Sequence, residues 1–204
     1  MKFTRWLMRR ALLLVLPFCI PQILNAQNQY LETPRYEAGL QFDFNYLNGV
    51  GDSGGGFGPR FHYNFDDHFA LDSQLIYRQH DVSIPTGTTF GTGAIGQTTG
   101  LFGVRAGQRV ENVGFFVRAR AGFLHFGTDN GASLLSRNTF PAFDVGATLE
   151  RYSGPVIWRF ELGEMIVPYG NATVSPGPFQ VLPQPTPLGT RASPSLGFGI
   201  AFRF

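Results

Sequence analysis

The chain has 204 residues, with 26 Gly, 14 Pro, 21 Phe, only 15% charged residues and a formal charge of +2. That length bounds one domain or two small ones, and the composition is too apolar and aromatic for a disordered chain. A single Cys excludes a disulfide scaffold and any multi-cysteine zinc site, and no stretch after residue 26 reaches the roughly 18 apolar residues of a membrane helix.

The N-terminus reads first. Lys2, Arg5, Arg9 and Arg10 precede a short apolar run, Ala11 to Ile20, and Leu24-Asn25-Ala26 ends in a small residue. This is the pattern of a cleaved secretory signal peptide over 1–26. Pro17 and Pro21 break the run and argue against a membrane anchor, and Pro17-Phe18 before Cys19 fits poorly a lipoprotein signal. Without these residues the basic side chains are 12 Arg against 14 acids, a net charge of −2, with no Lys and no Cys. Nothing then argues for nucleic acid, whose binding needs clustered Lys and Arg. Residues 27–35 read as a short periplasmic lead and 36–204 as the folded domain.

From Tyr36 to Tyr46 the chain alternates strictly. Tyr36, Ala38, Leu40, Phe42, Phe44 and Tyr46 share one face; Glu37, Gly39, Gln41, Asp43 and Asn45 share the other. This is strand periodicity held for eleven residues, the length of a tilted strand that crosses a bilayer, about 9–11 residues. The pattern recurs at 56–65 (Phe57, Phe61 and Phe65 against Arg60, His62 and Asn64) and at 69–79 (Phe69, Leu71, Leu75 and Tyr77 against Asp72, Gln74 and Arg78). It is weaker at 99–109, where Phe102, Val104 and Ala106 oppose Arg105, and clear at 115–126, where Phe115, Val117 and Phe123 oppose Arg118 and Arg120. Three more strands follow at 141–151 (Asp144 and Glu150 on the polar face), 156–166 (Arg159 and Glu161) and 195–204.

Eight strands are therefore predicted. Their connections alternate between tight turns (66–68, 110–114, 152–155) and longer loops (47–55, 80–98, 127–140, 167–194). That asymmetry marks an outer-membrane barrel. A soluble barrel turns its apolar face inward. Here one face holds many Phe and Tyr, with Tyr36, Tyr46, Tyr63, Tyr77 and Trp158 near strand ends, as in interfacial aromatic girdles. The other face holds Glu37, Asp43, Arg60, Asp72, Arg78, Arg105, Arg118, Arg120, Asp144, Glu150, Arg159, Glu161 and Arg203. The expected fold is all-β: an eight-stranded antiparallel up-and-down transmembrane β-barrel, lipid-facing outside and polar inside. The near balance of inward charges favours a paired network over a ring of one sign, and eight strands leave room for little beyond side chains. Arg118 and Arg120 are expected to pair with acids such as Glu150 and Glu161. A narrow pore is the alternative.

At this point the sequence resembles the small outer-membrane barrels of the OmpA/OmpX type, over residues 35–204. The most specific feature is the alternating end, Leu196, Phe198, Ile200, Phe202 and Phe204, with a terminal aromatic. It is similar to the C-terminal signal that the barrel assembly machinery reads in this group. No peptidoglycan-binding domain follows the last strand, so the resemblance is to the barrel-only members. It implies a bacterial outer-membrane location, contact with outer-membrane lipids and lipopolysaccharide, and no cofactor. The fold does not choose among the varied functions of such proteins.

Other motifs are weak. Gly49-Val-Gly51-Asp-Ser-Gly54 has G-x-G-x-x-G spacing, but a strand follows where a dinucleotide site needs a helix. His62, His68, His80 and His125 show no metal-ligand spacing and read as solvated or interfacial. Lipid A deacylases of the outer membrane are also eight-stranded barrels, with a His-x-Ser-Asn pattern near the outer rim. The local sequence His125-Phe-Gly127-Thr-Asp-Asn130 places Gly127 where the nucleophilic hydroxyl would stand. No catalytic residue and no metal site is therefore expected, and lipid A hydrolysis is kept as a second alternative. Asn171-Ala-Thr173 has sequon spacing that carries little weight in a chain with a bacterial export signal. The Pro-rich last loop (Pro183, Pro185, Pro187) and the Gly- and Thr-rich loop from Pro85 to Thr99 are the expected contact surfaces for a surface ligand. The expected role is structural or adhesive.

Overall fold

The structure is a computed structural model that describes residues 34–47, 52–86, 89–129, 132–133, 135–173 and 187–204. The expected signal peptide, most of the N-terminal lead, Gly49 to Gly51 and most of the Pro-rich connection lie outside these residues. In chain order the strands are β1 (Tyr36–Leu47), β2 (Asp52–Asn64), β3 (Phe69–Thr86), β4 (Thr89–Val110), β5 (Val113–Phe126), β6 (Thr128–Asp129), β7 (Ala132–Ser133), β8 (Thr139–Ser153), β9 (Val156–Gly170) and β10 (Gly189–Arg203). Eight of them close a barrel in the order β1-β10-β9-β8-β5-β4-β3-β2, while β6 and β7 form a separate small hairpin. Every neighbouring pair is antiparallel. Closure runs from Glu37 opposite Arg203 to Asn45 opposite Ser195. The terminal residue completes it: the Tyr36 amide donates to the Phe204 carbonyl at 3.1 Å, and the Phe204 amide donates to the Tyr36 carbonyl at 2.9 Å.

One end of the barrel carries the tight turns. At the first, Asp66 Oδ1 accepts from the His68 and Phe69 amides, both at 2.7 Å. These bonds, His68's first, hold the Asp66 carboxyl below its ordinary pKa. The β8–β9 turn places Gly154 at φ 57°, in the left-handed region that a side chain resists. At the opposite end, called here the loop end, strands run further than the alternation predicts. The connection expected at 80–98 is largely strand, because β3 and β4 stay paired out to Thr86 opposite Thr89. Thr, Ile and Val in this stretch favour strand, and an established ladder extends through the intervening glycines. With 18 and 22 residues, β3 and β4 exceed the length that a bilayer core needs.

The alternation sorts the wall in two. Phe42, Phe44, Phe57, Phe102, Phe160, Leu162 and Leu196 stand exposed on the outside, Leu162 at 65%. Tyr36, Tyr63, Phe65 and Phe204 cluster at the turn end, with Tyr36 and Phe204 stacked at 6.0 Å between ring centroids. An apolar band this extensive is unfavourable in water and favourable against acyl chains. Inside, glycines admit close strand approach. A Cβ added to Gly58 would lie 1.8 Å from the Leu75 carbonyl oxygen, and one added to Gly103 would lie 2.1 Å from that of Ala119. Small inward residues also leave the lumen to long side chains from neighbouring strands.

Candidate functional site

Register decides which charged side chains meet in the lumen. β1 runs away from the turn end, and its first inward residue is Glu37. Glu37 Oε2 accepts from Arg159 at 2.8 Å and Arg105 at 3.0 Å, and Oε1 accepts from Arg109 at 2.7 Å and Asn64 at 2.9 Å. Beside it, Glu150 accepts from Arg105, from Arg159 Nε at 2.7 Å and from the Tyr152 hydroxyl at 2.5 Å. One turn further into the lumen, Asp72 takes Arg60 in a two-bond fork at 2.5 and 2.9 Å. The far side of the same guanidinium reaches Glu161 at 2.6 Å. Asp144 accepts from Arg118 and Arg120, both at 2.8 Å. Asp43 pairs with Arg78 nearest the loop end. Planar guanidinium groups can serve two carboxylates at once, which suits a space this narrow.

Six carboxylates and seven arginines therefore share this interior: Glu37, Asp43, Asp72, Asp144, Glu150 and Glu161 against Arg60, Arg78, Arg105, Arg109, Arg118, Arg120 and Arg159. Of the expected pairings, Arg118 with Glu161 is present, while Glu150 pairs with neither Arg118 nor Arg120. Arg120 stands opposite Asp144 on β8 and bonds it, and it also reaches Asp72 at 3.3 Å. Arg118 bonds Asp144 and lies 3.4 Å from Glu161. Glu150 stands opposite Arg159, so it belongs to the turn-end cluster and not to Arg118 or Arg120. Arg109 joins the hub unforeseen. Arg203, which parity places inward, instead donates to the Gly154 carbonyl at the rim and lies over the Tyr152 ring.

His62 is the largest departure from the sequence reading. It is 1% exposed, not solvated. Nδ1 lies 2.9 Å from Glu37 Oε2 and 3.0 Å from Arg159 Nη2; Nε2 lies 3.0 Å from Asp72 Oδ1 and 2.9 Å from Arg60 Nε. Each ring nitrogen can donate to a carboxylate or accept from a guanidinium, so the ring bridges the two clusters in either tautomer. Glu37, His62 and Glu150 bring ligand atoms within 4.8 Å of one another, a spacing that a metal ion could use. Arg105 and Arg159 already bond both carboxylates there, and a further cation would meet their charge. The trio is better described as the hub of the ion-pair network.

Beyond the network, toward the loop end, the interior turns apolar. Leu101, Leu124, Phe126, Phe140, Ala142, Met165, Val167 and Tyr169 pack with Leu135, Ala172 and Leu188 in one buried cluster. Phe140 meets Tyr169 edge to face at 4.9 Å. The loop end of the lumen is thus oily along β5, β8 and β9, while buried Arg78, Gln97, Thr99 and Ser193 stand at the same level on β3, β4 and β10. His125 takes no part in either layer: it is exposed on the wall, and its Nδ1 lies 2.8 Å from Thr139 Oγ1. His68 is exposed at a turn, and the side chain of His80 lies outside the described residues. Leu196, Phe198, Ile200 and Phe202 occupy the outer face of β10, with Phe204 at its end.

Outward apolar girdles, eight strands closed into a barrel and a lumen of paired charges define the class: a small eight-stranded β-barrel of the outer-membrane type. The solved structure of the outer membrane protein OprG from Pseudomonas aeruginosa shares this fold, with a TM-score of 0.54 at 11% identity over 84% of this chain and 96% of that one. Neisserial surface protein A is similar at a TM-score of 0.47 and 14% identity, over 83% and 96% of the two chains. The Yersinia pestis attachment invasion locus protein Ail, solved with the heparin analogue sucrose octasulfate, is similar at 0.45 and 12%, over 83% and 96%. No family model matches the chain, and no curated protein sequence matches it.

Proposed function

We propose that this chain is an integral protein of the bacterial outer membrane, exported by the signal peptide of residues 1–26, with a structural or surface-contact role and a closed lumen. The observation that carries this reading is the combination of an outward apolar belt with an inner network of mutually neutralised charges. The belt requires lipid. Among the described residues the network leaves no file of free charged groups along which ions could pass, and the apolar cluster fills the lumen beside it toward the loop end. The tight turns then face the periplasm and the extended strands face outward, beside lipopolysaccharide. The last residues act in delivery by the assembly machinery. Catalysis is not part of the proposal: His125 at the outer rim pairs with a Thr and has no carboxylate partner among the described residues.

Membrane fractionation tests the placement. The protein is expected with the outer membrane, its folded form migrating differently from the boiled form; recovery in the soluble periplasm contradicts it. Deletion of residues 174–186 tests the surface role. Adhesion to host-cell or matrix surfaces is expected to change while the barrel still folds, and unchanged adhesion counts against the contact role.

A further inference from the structure

The barrel wall is not equally closed all round. β1 and β10 pair only as far as Asn45 opposite Ser195, although β10 continues beside β9 to Gly189. The next residue of β10 is Pro194, which has no amide proton to give to a ladder. On the other side of the same hairpin, β2 and β3 pair only as far as Gly56 opposite Arg78, although β1 and β2 run on to Leu47 opposite Asp52. The loop-end part of the β1–β2 hairpin is therefore held by its own two strands, with a seam on either side.

A cavity of about 520 Å³ occupies the β1–β10 seam. Its outer part is apolar, formed by Phe44, Tyr46, Leu162 and Leu196, all exposed on the lipid-facing side. Asn45 and Ser195 also line it, on the inner-face parity of their strands. Asn45 is 5% exposed, and neither its amide nitrogen nor its amide oxygen has a hydrogen-bond partner; the buried Ser195 hydroxyl has none either. Donors and acceptors left idle in a dry wall have given up water without gaining a partner. Among the described residues the other buried side-chain atoms without a partner are single ones, Arg78 Nε, Arg105 Nε and the Tyr169 hydroxyl; only at this seam do two neutral side chains lack every partner together.

We propose that this seam binds a neutral single-chain amphiphile entering sideways from the bilayer, with its polar head on Asn45 and Ser195 and its chain on the outer groove. The amide of Asn45 both donates and accepts, which fits an ester, amide or hydroxyl head. The two residues bring no charge. Arg118 reaches toward Gly163 behind Ser195 and is already engaged by Asp144 and Glu161, and exposed Glu164 stands opposite Pro194. An anionic head would enter without a free counter-ion and would meet the charge of Glu164. The cavity holds a drug-sized molecule, hence one chain and a small head, and not a two-chain lipid. The inference rests on the wall facing lipid.

The test uses the chain folded into phosphatidylcholine vesicles. A 1-monoacylglycerol with a photoactivatable group in its acyl chain is crosslinked, and the adducts are mapped by mass spectrometry. Insertion is read separately from the mobility of the unboiled protein, so a failure to insert indicts the membrane placement and not the site. Adducts are expected to concentrate on residues 44–46, 162 and 194–196. Asn45→Leu is expected to lower capture there at least fivefold, and Ser195→Ala at least twofold while removing only a hydroxyl, which keeps the test decisive if the first variant does not fold. A photoactivatable hydrocarbon without a head should show no preference for the seam. Adducts spread evenly around the belt, capture unchanged in the folded variants, or equal capture of a carboxylate-headed probe would overturn the proposal.

Discussion

Replacing Glu37 by Gln keeps the shape of the hub and removes its charge. Glu37 accepts from Arg105, Arg109, Arg159 and Asn64, so one substitution weakens contacts to three strands beside its own, β2, β4 and β9. Removing one partner of a buried ion pair costs about 3–5 kcal/mol. The losses here do not sum, since Arg105 and Arg159 keep Glu150 and Arg109 keeps the Tyr152 hydroxyl and the Asn64 side-chain oxygen. The new amide also brings two donors into a field of guanidinium groups, which opposes the relief that its carbonyl gives. A single penalty of about 3–5 kcal/mol is expected. Urea unfolding in phospholipid vesicles, followed by the fluorescence of Trp158 on the outer wall, measures it. Glu111→Gln, on the exposed β4–β5 turn, is the control and should stay within about 0.5 kcal/mol of the parent. A Glu37→Gln barrel as stable as the control would refute the view that the network holds the lumen together.

Planar-bilayer recordings should show little conductance, because the ion pairs and the apolar cluster fill the lumen; stable porin-sized steps would contradict a closed interior. Deleting Phe204 removes two backbone hydrogen bonds and a ring contact to Tyr36, yet should reduce folded barrel in cells far more than in detergent refolding. Equal losses in the two settings would leave the closure role and remove the delivery role. Asp66→Ala should destabilise by only about 0.5 kcal/mol, since the turn is exposed and screened. Because the folded carboxyl titrates below its ordinary value, that contribution is present above pH 3.8 and is lost as pH falls through the depressed folded value. A mutant and parent that differ equally at all acid pH values would show that the charge plays no part. His125→Ala should leave the lipid A mass spectrum unchanged, and a change that depends on this residue would revive the hydrolase reading.

Period-two alternation made the barrel legible, because lipid outside and charge inside impose opposite chemistry on successive residues. Parity placed Glu37, Arg60, Asp72, Arg118 and Asp144 on the inner face without any knowledge of register. It could not pair them. Partners depend on the stagger between strands, and that stagger put Arg120 opposite Asp144 and Glu150 opposite Arg159. His62 looked surface-bound because a lone His carries no sequence sign of its surroundings; on β2 it has the inward parity of Arg60 and Asn64, and that was the available signal. The apolar layer at the loop end was hidden for a different reason. Leu124, Phe126, Met165 and Val167 are inward residues in stretches where both faces are apolar, so alternation fades where the lumen turns dry. The open seam is invisible to periodicity, although Pro194 in the final strand, just before the last alternating run, is its mark.

A transmembrane barrel requires that the outer side of the wall meet lipid. Trp158 lies on the outer face of β9, 5.9 Å from the Phe198 ring. Its fluorescence should be quenched strongly in vesicles of phospholipid brominated along the acyl chain and be nearly insensitive to aqueous iodide. Iodide quenching without bromolipid quenching would place that face in water and contradict the transmembrane barrel.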